Sequence, residues 1–321
     1  MKKFVISCLI FAIPILLLAY PIDFFLSTLL KKTHVKTGEF EVSEDIYLHK
    51  IKSDLIIIGS SRAWTHFDSE ILEKELKNAT YNLGIDGHKF RLQLLRYQEF
   101  IKHNPAPKEI ILSIEATSFE KRNVLYKGEQ FLPYMLNNDS IQKYLKTYDG
   151  FENSDFKIPL IRYIGQDQVT RIILMNLIQN LQGKGNYRIK GYRGQDKTWN
   201  NDFEKAKKEN PDYVIEIDRE VISIFCDFIA SCKAKNIAVY MVYSPEYIEG
   251  QNYVINRAKM MTIFDSIANQ YEIPLIDYSN HPISFDKQYF YNASHMNITG
   301  AKLFSQDLGK KLLKINDSLV N

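Results

Sequence analysis

Apolar residues along this chain recur in two rhythms that take turns. Largely apolar runs, at residues 55–58, 79–83, 109–114, 237–243 and 273–276, predict strands buried on both faces. Between them, apolar residues spaced three and four apart at 69–76, 88–103, 218–234, 253–271 and 298–313 predict amphipathic helices. Ser69 is the expected cap of the first helix. Asn104-Pro105 ends the second, because a proline pushes the residue before it out of the helical region. Strands and helices alternating at this spacing predict an α/β fold, a parallel sheet with helices on both faces. Residues 119–211 break the rhythm. They are rich in Tyr, Asn, Gln and Gly, with one amphipathic run at 168–181 and a polar, Gly-rich stretch at 182–201. That pattern predicts an insertion on the rim of the sheet, where loops often serve as lids or binding walls.

The N-terminus follows neither rhythm. Met1-Lys2-Lys3 leads into an apolar run at 4–22, 19 residues long, against the roughly 20 needed to cross a bilayer. A cleaved signal peptide is disfavoured, because Ala19-Tyr20-Pro21 offers no small-residue cleavage site. The expectation is an uncleaved membrane anchor at 1–32, a polar linker at 33–52 and one large domain at 53–321. A short basic N-terminus before a first apolar helix places the bulk of the chain on the extracytoplasmic side.

Charge and cysteine content exclude several function classes. The net charge of +3 over 321 residues, with lysines scattered along helix faces, argues against a nucleic-acid partner. Cys226 and Cys232 are six residues apart in a helical run, about 9 Å along the axis, too far for a disulfide. Neither has the second pair of ligands that zinc needs. No metal and no cofactor is expected.

Four polar turns fall at the predicted carboxyl ends of the strands, where ligands bind in open parallel sheets. They are Gly59-Ser60-Ser61-Arg62, Asn82 to His88, Glu115-Ala116-Thr117 and Asn292-Ala293-Ser294-His295. An early serine and a late histidine form a nucleophile and base if the fold unites them. Plainer roles exist for each residue. A serine after a strand commonly makes a turn, Gly87 suits a positive φ, and Asn297 suits the cap of the last helix. Arg62 and His66 face either an anionic or sugar substrate or plain solvent, and the insertion's aromatics either stack on sugars or pack as a lid.

These motifs resemble the SGNH/GDSL hydrolase superfamily, and the resemblance implies a three-layer flavodoxin-like fold. Gly59-Ser60-Ser61-Arg62 stands where that family has Gly-Asp-Ser-Leu, which makes Ser61 the nucleophile. Asn82 to Gly87 is similar to the second block, whose final glycine donates a backbone N–H to the oxyanion; here that is Gly87. Asn292-Ala293-Ser294-His295 matches the last block, Asp-x-x-His, with His295 as base and Asn292 as its orienting partner. The likeness covers about residues 53–118 and 237–313. Together with the anchor, it points to the membrane-anchored SGNH-like proteins that accompany membrane-bound O-acyltransferases in acylating surface polysaccharides. Its implied partners are an acylated surface glycan, such an acyltransferase and the membrane.

Two positions depart from the family pattern. Where the third block supplies an asparagine to the oxyanion hole, this chain offers Thr117 or a backbone N–H. Where the base is oriented by aspartate, it has Asn292, a neutral amide that holds the ring but does not stabilise the imidazolium. Asp277 and Asp286 are the candidate carboxylates for compensation. Two functions stay open: a serine esterase or acyltransferase acting on O-acyl groups, and a degenerate domain that binds glycan or scaffolds an acyltransferase complex.

Overall fold

The computed structural model describes residues 2–33, 38–181 and 187–320. The chain divides into two compact units, one of Asp45–Lys121 with Arg188–Asn321 and one of Met1–Glu44 with Arg122–Tyr187.

The first unit holds a five-stranded sheet of β1 (Leu55–Ile58), β2 (Thr80–Asn82), β3 (Glu109–Ile114), β4 (Ala238–Tyr243) and β5 (Leu275–Asp277), in the order β2-β1-β3-β4-β5. All pairings are parallel; Ile56 lies between Tyr81 and Ile110, and Leu112 lies beside Met241. Every residue of β1 is buried, as a strand covered on both faces requires. The last helix, Ile298–Val320, supplies much of the cover on one side, where Phe304, Leu308 and Leu312 pack with Phe67, Leu72 and Ile57. The chain leaves β1 for β2 on one side, then crosses back past β1 to form β3 on the other. The order therefore reverses between β1 and β3, and a crevice opens at their carboxyl ends.

Two connections set the contents of that crevice. The helix Ser61–His66 follows β1 after a single tight turn. Gly59 permits the turn, since a Cβ there would lie 2.7 Å from both the Ala63 and Ser113 Cβ atoms. Beyond β5, a short antiparallel pair, β6 (Phe290–Asn292) and β7 (His295–Met296), presents the histidine just before the last helix. Asn297 caps that helix, its Oδ1 accepting the Thr299 and Gly300 N–H groups at 3.1 Å.

Several local expectations are corrected. Asp68, not Ser69, caps the helix Ser69–Leu76: its carboxylate accepts the Glu70 and Ile71 N–H groups, while the Ser69 hydroxyl donates to the Lys190 carbonyl. The expected linker at 33–52 contains a helix, Glu39–Tyr47, because Phe40, Val42 and Ile46 find apolar cover; residues 34–37 lie outside the described residues. The irregular stretch 119–211 does not stay together. Its Arg122–Tyr187 part belongs to the second unit. From Arg188 onward the chain runs as a strap across the sheet unit. Asn82 N–H donates to Lys190 O, Arg193 N–H to Trp64 O, Ile298 N–H to Gln195 O and Asn200 N–H to Tyr291 O, all at 2.9–3.0 Å. These are backbone bonds between distant segments, so side-chain patterning does not reveal them. Residues 182–186 of the Gly-rich stretch lie outside the described residues.

In the second unit, the N-terminal helix Lys2–Lys31 contains Pro14 and Pro21. Its C-terminal part carries the buried Asp23, paired in bidentate fashion with Arg162 at 2.6 and 2.7 Å. The Asp23 carboxylate also accepts the Leu160 N–H, and Ser27 links it to the Tyr163 hydroxyl. Among the described residues no helix is long and apolar enough to cross a membrane. The side chains at positions 2, 5, 8, 9, 11, 12, 15 and 16 of the N-terminal helix lie outside that set. In the sheet unit, Cys226 and Cys232 are free thiols on the helix Arg219–Ala234.

Candidate active site

The fold brings together two residues 234 positions apart: the Ser61 Oγ lies 2.8 Å from the His295 Nε2. The protons in this contact follow from the neighbouring backbone. Asn292 Oδ1 faces the N–H groups of Ser294 (3.1 Å) and His295 (2.9 Å), so the atom there must be an acceptor. The same oxygen lies 3.0 Å from the His295 Nδ1, which must therefore carry its hydrogen. Nε2 is then left as the acceptor of the Ser61 hydroxyl, the tautomer a general base needs. Tyr291 stacks on the imidazole at 5.4 Å with the planes 15° apart, and Lys197 sits over the far ring at 5.1 Å.

Burial holds His295 neutral and brings its pKa down to about 4. Glu115 and Asp86 act against that fall; Arg62 and Lys197 add to it. The base is thus deprotonated throughout the neutral range, while the charged form it must take during attack is disfavoured.

Arg62 and His66, read as facing substrate or solvent, are buried struts, and Arg62 also borders the cleft beside His295. Arg62 donates to Glu246 at 3.2 Å, to the Ser244 hydroxyl and to the Ser244 and Pro245 carbonyls, and lies over the Tyr243 ring at 4.9 Å. It fastens the helix that starts at Ser61 to the carboxyl end of β4. His66 accepts the Met296 N–H on Nε2 and donates from Nδ1 to Ser244 Oγ, both at 2.9 Å. Burial and the Arg62 charge hold it uncharged, its pKa well below the usual value. One neutral histidine thus ties β7, which bears His295, to the segment after β4.

Asn82 braces the same helix, donating to Ala63 O and Phe67 O and accepting the Gly84 N–H. Gly87 lies on the turn after β2 at φ 73°, a conformation that favours glycine. Ser61 is the first residue of its helix, so its N–H has no intrahelical acceptor and is free to bind an anion. A cleft of about 220 Å³ opens beside His295. Thr117, Asn292 and His295 line it together with Phe203, Tyr213 and Tyr253; Ser61 and Gly87 are not among its lining residues. Asp277 and Asp286, the expected compensating carboxylates, are engaged locally, Asp277 with Ser279 and Asp286 with Gln288. Among the described residues no group of His, Cys, Asp and Glu side chains could hold a metal ion.

Sequence reasoning gave no role to Glu115. The available signal was a carboxylate in the turn directly after the predicted third strand. Glu115 lines the cleft together with His295. Although burial pushes its pKa up, the Lys89 and Arg62 charges and the Ser60 side chain hold it below the usual carboxylate range. It is an anion beside the base.

No family model and no curated protein matches the chain. Solved structures similar to it include an acetyl xylan esterase, AlAXEase, at 12% identity and a TM-score of 0.39, covering 81% of this chain and 98% of that one. A GDSL-like lipase from Bacteroides thetaiotaomicron is 11% identical with a TM-score of 0.37, covering 80% and 88%. An α/β hydrolase, LAE5, from the metagenome of Lake Arreo is 12% identical with a TM-score of 0.37, covering 81% and 94%. At such identities and scores these likenesses carry no argument about activity.

Proposed function

We propose that this chain is a serine esterase or acyltransferase of the SGNH/GDSL superfamily, acting on O-acyl groups of a cell-surface glycan. The observation that carries the reading is the hydrogen-bonded series Ser61–His295–Asn292, with its tautomer fixed, at the crevice of a parallel sheet. Ser61 attacks the acyl carbonyl while His295 Nε2 takes its proton. The Ser61 N–H, at the start of its helix, and the Gly87 N–H stabilise the oxyanion. His295 then returns the proton to the departing sugar oxygen, and water or an acceptor hydroxyl resolves the acyl-enzyme. The glycan assignment rests on the motif resemblance and on the aromatic wall of Phe203, Tyr213 and Tyr253.

Anchoring through residues 4–22, with the catalytic domain outside the cytoplasm and a membrane-bound O-acyltransferase as partner, belongs to the same proposal. It rests on the apolar run in the sequence. Asn292 favours a second reading, a domain that binds glycan or scaffolds the acyltransferase with little turnover of its own. To separate the two, the full-length protein in detergent is given 4-nitrophenyl acetate and compared with Ser61→Ala. Esterase function requires the variant to lose about three decades of rate or more. Equal rates refute it.

A further inference from the structure

Glu115 is the first residue past β3, and Ser61 follows β1 by three positions. The register pairs Ile58 with Leu112, and Gly59 is pressed against Ser113, so Ser60-Ser61 and Glu115 meet across the crevice where the strand order reverses. Glu115 shares the cleft wall with His295. The two cations that hold this charge each have a second carboxylate partner as well. Lys89 has Glu120 at 3.2 Å, and Arg62 has Glu246 at 3.2 Å.

Resting on the esterase reading, we propose that Glu115 is the positioning carboxylate that supports the His295 imidazolium from across the crevice, in place of the aspartate missing at 292. Asn292 fixes the ring's orientation and tautomer, and Glu115 supplies the charge. An aspartate at 292 would do both; here the duties fall on two residues, Glu115 just after β3 and Asn292 on β6. The groups facing His295 are consistent with this division. Arg62 and His66 lie on the helix after β1, Asp86 on the turn after β2, Glu115 after β3, and Lys197 on the strap. Glu115 is the foremost of those favouring the charged ring, and it also holds its own charge against burial.

The test is an NMR titration of the His295 ring, assigned with His295→Ala, in the full-length protein carrying Asn292→Asp. That substitution brings the midpoint up into an accessible range. Adding Glu115→Gln lowers the midpoint by about one pH unit or more, the effect of losing a close opposite charge. Adding Glu115→Asp, which keeps the charge, leaves it within about 0.3 unit. In ester hydrolysis, Glu115→Gln alone lowers kcat about tenfold with KM little changed. Should the glutamine variant not fold, the Asn292→Asp protein itself carries the readout, because its His295 curve shows a second inflection where Glu115 protonates. Identical midpoints with and without the Glu115 charge, or a single inflection, overturn the assignment. A lowered midpoint without Ser61-dependent turnover keeps Glu115 in this role and removes the esterase reading. An unchanged midpoint with turnover does the reverse.

Discussion

Replacing Asn292 by aspartate isolates the step that separates a site from an efficient catalyst. The Asn292 Oδ1 already accepts three hydrogen bonds, from Ser294 N–H, His295 N–H and His295 Nδ1–H, at 3.1, 2.9 and 3.0 Å. A carboxylate oxygen can take the same place without moving the backbone, so the substitution changes charge and little else. A unit charge 3.0 Å from Nδ1 stabilises the imidazolium by about 5 kcal/mol at an effective dielectric near 20. Desolvating the half-buried carboxylate takes back part of this, and about 3 kcal/mol remains, or roughly two decades in kcat. The same charge raises the His295 pKa from its value of about 4, so the acid limb of the rate profile moves to higher pH. Steady-state hydrolysis of 4-nitrophenyl acetate between pH 4.5 and 9 measures both effects. A kcat within about threefold of the wild type, on an unmoved acid limb, refutes the reasoning.

Three further outcomes follow from the structure. Stability depends on pH through the buried neutral histidines. Their folded pKa values lie below the ordinary 6.5, so the stabilisation is complete above about pH 6.5 and is lost as pH falls toward 4. Each histidine contributes a slope of about 1.4 kcal/mol per pH unit; urea midpoints from pH 7.5 to 5 should show it, and His66→Gln should flatten it. Arg162→Met leaves Asp23 buried without its guanidinium, which should cost the second unit about 3–5 kcal/mol in hydrogen-exchange protection; a loss under about 1 kcal/mol contradicts that. If residues 4–22 anchor the protein, it stays in the membrane pellet through alkaline carbonate washing and is released when they are deleted; release of the intact chain rejects the anchor.

The parallel α/β sheet was legible in the sequence, because strands buried on both faces must be largely apolar, and 55–58 and 110–114 are. The sequence also marked Ser61, Asn292 and His295, since each sits in a short motif whose spacing is local: a strand followed by Gly-Ser-Ser, and an amide three residues before a histidine. The tertiary structure alone decided what depends on juxtaposition. That Ser61 meets His295 at 2.8 Å requires the β6–β7 pair to reach the carboxyl end of β1. Arg62 and His66 are struts only because Ser244, Glu246 and Met296 come from remote segments to satisfy them. The strap from Arg188 joins the sheet unit through backbone hydrogen bonds, which side-chain patterns do not encode. Glu115 is an acidic residue after a strand in the sequence and an anion beside a buried base in the fold. Local periodicity reports which face of an element is apolar; the field at a site depends on charges that only folding brings together.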